Sequence, residues 1–151
     1  MNKVKKNMKK QIYISLITLG LLTALAVAPV YAQFQTSIKV SVPFAFTVGD
    51  KTMPAGEYTL KPVNDAGLYS RLLIRSKDGK TVAIITTGVI QASAVQEETK
   101  VTFNRYGDQY FLSQIWMSGT DYARQLRKSD VELRAATSGA QKETISITAK
   151  R

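Results

Sequence analysis

The chain has 151 residues, with 21 basic and 11 acidic side chains for a formal charge of +10, and it contains neither histidine nor cysteine. That excludes disulfide scaffolds, thiolate nucleophiles and Ser-His-Asp or Cys-His catalysis, and it removes the two commonest zinc ligands.

The N-terminus reads as a leader. Residues 1–11 hold five lysines and no acid, Ile12 to Val30 hold no charge, and Val30-Tyr31-Ala32 closes the run with small residues at both ends. A basic end that stays in the cytoplasm, an apolar run that enters the translocation machinery and small residues that fit the peptidase make up a secretory signal peptide. The pattern predicts cleavage between Ala32 and Gln33, export to the periplasm or beyond, and one domain over residues 33–151. The alternative is an uncleaved membrane anchor, since 19 uncharged residues suffice to span a bilayer. Ser15, Thr18, Gly20, Thr23 and Pro29 weaken that helix as a lipid-facing one.

Without the leader, sixteen bases face eleven acids, a net +5 on 119 residues. A chain of that size buries about 60% or more of its unfolded surface and holds a core without staples. Its cations, among them Lys39, Lys51, Lys61, Arg71, Arg75, Lys77 and Lys80, are spread singly and read as solvated surface. Only Arg124-Gln125-Leu126-Arg127-Lys128 forms a cluster. No basic stripe of the kind that tracks nucleic acid is visible, so no such partner is expected.

Along the mature chain, apolar residues alternate with period two. Ser37 to Val42 places Ile38, Val40 and Val42 on one face before Pro43 stops the ladder. Phe44, Phe46 and Val48 continue on one side, Gly49-Asp50-Lys51 turns the chain, and Glu57 to Val63 extends again after Pro54 and Gly56, the latter free to take a positive φ. Arg71–Ser76 and Thr81–Thr87 flank an Asp78-Gly79 turn, a strong hairpin signal, and Gly88–Ala94 prolongs the second strand around a bend.

The most distinctive stretch is FNRYGDQYFLSQIW, residues 103–116, with five aromatic side chains. With Gly107-Asp108 as a two-residue type II′ turn, Arg105 faces Tyr110, Phe103 faces Leu112 and Val101 faces Gln114. One face then collects Val101, Phe103, Leu112 and Trp116 for the core. The other holds Thr102, Asn104, Tyr106, Phe111, Ser113 and Ile115.

After Ser118-Gly119 the alternation breaks. Ser129-Asp130-Val131-Glu132 fits a capping box for a short helix ending near Ala136, and Glu143–Ala149 reads as a closing strand with Ile145 and Ile147 on one face. Seven or eight short strands and one minor helix predict an all-β fold, an antiparallel sandwich or a small barrel.

No motif supplies chemistry. No serine is followed three positions later by lysine, no Gly-x-Ser-x-Gly elbow occurs, no glycine-rich turn precedes a helix, and no Asp-x-Asp-x-Asp-Gly loop is present. No cofactor or metal is expected. Asp108, Asp121, Glu97 and Glu98 are the acids from which a glycosidase-like pair would be drawn, but they sit in turn-like contexts.

The segments Val42-Pro43-Phe44-Ala45-Phe46-Thr47-Val48-Gly49, Pro54-Ala55-Gly56-Glu57-Tyr58, Arg105 to Leu112 and Leu126 to Glu132 together resemble a group of short exported bacterial proteins of unassigned activity. That resemblance implies a signal peptide followed by one small β domain, and it brings no catalytic or binding residue. The sequence thus points to a non-enzymatic exported module for a glycan or a cell-envelope protein. Asn104, Arg105, Tyr106 and Phe111 form its ligand-facing surface if that face is open; a second sheet or the C-terminal helix would cover it instead. The alternatives are an assembly subunit pairing through the Ser37–Val42 edge and, more weakly, a carboxylate hydrolase.

Overall fold

The computed structural model describes residues 37–64 and 70–150. The leader and the Ala32–Gln33 cleavage point lie outside the described residues. Ten strands and one helix follow in order: β1 (Ile38–Val42), β2 (Phe46–Val48), β3 (Lys51–Met53), β4 (Gly56–Asn64), β5 (Ser70–Ser76), β6 (Val82–Gln91), β7 (Lys100–Tyr106), β8 (Gln109–Trp116), β9 (Tyr122–Leu126), α1 (Asp130–Thr137) and β10 (Lys142–Thr148). The fold is all-β with one short helix.

All ten strands belong to one sheet. Its pairings run β1-β4-β5-β6-β9-β8-β7-β10, every contact antiparallel, and the β2–β3 hairpin joins β8 through a parallel pairing at Thr47 and Phe111. The sheet is not closed by a continuous ladder. Its two ends meet in a single bridge, where Lys39 and Lys150 exchange both backbone hydrogen bonds at 2.7 and 2.8 Å.

The alternation read from the sequence is what fills the interior. Ile38, Val40 and Val42 point inward while Lys39 and Ser41 point out. Phe103 and Met53 are fully buried and Ile74 nearly so. Phe46 lies among them, edge-on to Tyr58 at 5.1 Å and to Phe103 at 5.3 Å, the geometry that ring quadrupoles favour. Two hairpins use the same Gly-Asp dipeptide: Gly49 and Gly107 both take φ of 60° while no non-glycine residue among those described has a positive φ, as a type II′ turn requires.

Several local expectations are corrected. Gly56 does not take a positive φ; it opens β4 and pairs with Val42. The Lys51–Met53 segment forms a short strand of its own, and Tyr122–Leu126, read as a break in the pattern, is a strand between β6 and β8. Gly88–Gln91 prolongs β6 as expected, with the bend falling beyond it at Ser93–Ala94; the strand pairs with β5 up to Thr87 and with β9 from Thr87 onward.

The largest correction is in the 103–116 hairpin. Arg105 faces Tyr110 and Phe103 faces Leu112 as expected, but Thr102 pairs with Gln114, so Ser113 is an extra residue bulged out of β8. Beyond the bulge the β8 side chains take the faces opposite to those of the unbulged register, while β7 keeps its own. Val101 therefore faces Ile115, which is buried in the core, whereas Trp116 is only half-buried, faces Lys100 in the ladder and receives its ammonium 5.9 Å from the ring centre.

Candidate functional site

The surface expected to face a ligand is mostly interior. Asn104 and Tyr106 are each 4% exposed and Phe111 2%, so the condition that this face be open is not met. Helix α1 covers it: Val131, Ala135 and Ala136, with Ala140 beyond the helix, pack on Tyr106 and Phe111. Ser129 caps the helix as expected, its hydroxyl accepting from the Glu132 amide at 3.3 Å. The Glu132 carboxylate is also buried and accepts from Asn104 Nδ2 at 2.7 Å, tying the helix to β7. A helix of eight residues is too short to persist in water by itself, so this docking is what maintains it.

Arg105 does not belong to that face. It shares the Phe103 side of β7, lies 5.4 Å over the Tyr110 ring, donates to Gly107 O at 2.7 Å and pairs with Glu143 at 3.2 Å. Tyr110 in turn stacks on Phe44 at 3.9 Å. These contacts close the end of the core.

The sequential basic cluster is likewise taken apart. Arg124 lines a small cavity of 150 Å³ with Ile38, Leu72 and Ile115, while Arg127 and Lys128 border a separate depression beside β6. What the fold brings together is a set of cations that the sequence scatters. Lys39, Arg75, Lys77 and Lys150 line an open groove of 630 Å³ that runs across the seam between β1 and the end of β10.

Strand register explains the grouping. Lys150 pairs with Lys39, Lys39 with Thr59, and Thr59 with Arg75, so these four residues form one straight row across neighbouring strands. Neighbouring strands lie about 4.8 Å apart, so the row sets its two lysines side by side and the arginine about 10 Å from Lys39. Like charges directly opposite each other repel.

Among the described residues the groove contains one acid, Glu57, and it is already engaged by Lys77 at 2.5 Å. Both partners respond: the hydrogen bond and then the charge of Lys77 hold the Glu57 carboxyl below its ordinary value, and the reciprocal bond and charge raise Lys77. Lys39, Arg75 and Lys150 are exposed and have no acid partner among the described residues. The hydroxyls of Ser41, Thr59 and Thr148 add hydrogen-bonding capacity to the same walls. A fixed row of cations with hydroxyls between them attracts and orients anions.

Comparison of the chain with family models, with curated proteins and with solved structures finds no match.

Proposed function

We propose that the protein is an exported, non-enzymatic β module of the cell envelope that binds an anionic glycan along the seam groove. The observation that carries this reading is the in-register row Lys150–Lys39–Thr59–Arg75, three cations without acid partners among the described residues in a groove whose one acid is spent on Lys77. Open walls and exposed side chains suit a polymer that lies across the strands rather than a small molecule enclosed by them. A leader for export would deliver such a module to the compartment where charged glycans are found.

The test is retention of the purified protein on immobilised anionic polysaccharides (alginate, dextran sulfate and phosphomannan) against neutral dextran. Retention on at least one charged polymer that falls with added salt and is weakened by Lys39→Gln and Lys150→Gln supports the reading. Equal behaviour on charged and neutral polymers would dismiss it.

The assembly reading keeps one observation of its own. Beyond the bridge at Lys39, the outer edge of β1 pairs with no strand among the described residues, and an open edge is a template for a neighbouring chain. Lysine on that edge opposes such pairing. A concentration-independent monomer mass in size-exclusion light scattering would remove this second reading.

A further inference from the structure

We infer that the anionic group read by the seam groove is phosphate, carried on a glycan, and that binding it reinforces the single bridge that joins the two ends of the sheet. This rests on the proposed glycan-binding role and specifies its ligand.

The argument starts from the charge geometry. Lys39 and Lys150 form a hydrogen-bonded antiparallel pair, which places their Cα atoms about 5.5 Å apart. Both lysines are exposed and line the groove, so their flexible stems can bring two ammonium groups to one anion outside the seam. A carboxylate brings a single negative charge and two oxygens to that point. A phosphoryl group brings up to two charges and three acceptor oxygens, enough to satisfy both lysines at once. A second phosphoryl group further along falls within reach of Arg75, whose planar guanidinium takes phosphate oxygens in pairs.

The hydroxyls fit the same ligand. Thr59 stands between Lys39 and Arg75 in the row, and Ser41 and Thr148 flank the seam one step from the bridge. Each hydroxyl can donate to an oxygen left over by the cations. No hydrogen bond among the described residues occupies any of the three.

The consequence for the fold follows from the topology. Among the described residues only one bridge joins the first and last strands, and the two lysines that make it repel each other. An anion held between them removes that repulsion and links both sides of the seam, so ligand binding and seam closure favour each other.

The experiment is calorimetric titration of the purified protein with sodium tripolyphosphate, phosphomannan, alginate and vesicles containing phosphatidylglycerol, paired with hydrogen exchange at the Lys39 and Lys150 amides. Tripolyphosphate and phosphomannan are expected to bind and to compete with each other, with alginate about tenfold weaker or more. Lys39→Gln or Lys150→Gln is expected to lower affinity about tenfold, the loss of one charge-assisted hydrogen bond, whereas Lys80→Gln, in the turn after β5, retains it. Exchange at both amides slows when tripolyphosphate is present.

Alginate binding as tightly as phosphomannan would overturn the phosphate assignment and leave the glycan reading intact. Failure of every polymer would overturn both. Binding to vesicles alone, or phosphate binding indifferent to both lysine substitutions, would place the interaction elsewhere and overturn the inference. All three substituted lysines are exposed, and matching thermal melts establish that the variants fold.

Discussion

Replacing Asn104 with alanine strips the buried Glu132 carboxylate of its amide partner while leaving the helix cap at Ser129 in place. Glu132 is 4% exposed, so water does not freely replace the lost bond. A hydrogen bond to a charged group contributes about 1.5–3 kcal/mol, and a burial this deep puts the loss near the upper end, at about 2–3 kcal/mol. With a urea slope of about 1–3 kcal/mol per M for a domain of this size, the unfolding midpoint drops by about 0.7–3 M. Equilibrium urea titration followed by tryptophan fluorescence measures it, since Trp116 is the only tryptophan. Glu132→Ala and the double variant complete the cycle, in which the double change should cost clearly less than the two single losses together. If Asn104→Ala and Glu132→Ala each fall within about 0.5 kcal/mol of the parent, as ordinary surface changes do, the pair is solvated and α1 does not seal the hairpin face.

The bulge at Ser113 makes Ile115→Ala the costly change, at about 2–4 kcal/mol for a buried aliphatic side chain, with Trp116→Ala the milder one; chemical denaturation of both variants that returned the opposite ranking would restore the unbulged register. Tyr106→Phe removes a buried hydroxyl that has no hydrogen-bond partner among the described residues, so thermal melting should show stability unchanged or raised by about 1 kcal/mol, and a clear loss would mean that the hydroxyl is bonded. Tyr58 donates to Pro54 O at 2.6 Å, and burial, then the charge of Asp78, raises its pKa above the ordinary 10.0. Because the folded value is the higher one, its contribution is complete below pH 10 and is lost as pH climbs through the folded pKa; alkaline unfolding curves should therefore be flatter above that pH in Tyr58→Phe.

Much of this fold was legible because its signals are local. Gly107-Asp108 sets its own hairpin, Asp78-Gly79 another, and Ile38, Val40 and Val42 announce their face by alternation alone. The errors begin where a distant strand decides. Nothing within residues 109–116 marks Ser113 as an extra residue; the register beyond it is held by β9, where Gln114 meets Gln125. Tyr122–Leu126 looked irregular because arginine and glutamine occupy it, yet pairing on both sides with β6 and β8 makes it a strand. Glu132 was expected to return to its own cap but is claimed by Asn104 across the packing interface.

The candidate site follows the same division. A run such as Arg124–Lys128 draws attention in one dimension and is dispersed in three, since alternate residues of a strand face opposite ways. Lys39, Arg75 and Lys150 look like isolated surface charges until the β1-β4-β5 register and the seam bridge align them. The signal that would have found them is the pairing of Ser37–Val42 with Glu57–Val63 together with that of Glu57–Val63 with Arg71–Ser76, since the first register sets Lys39 opposite Thr59 and the second sets Thr59 opposite Arg75.

A map of amide chemical-shift changes on adding tripolyphosphate tests the role of the seam most directly. The largest changes should fall at Lys39, Thr59, Arg75 and Lys150, with residues 103–111 unmoved beneath α1. Changes centred on Asn104, Tyr106 and Phe111 with a silent seam would contradict it.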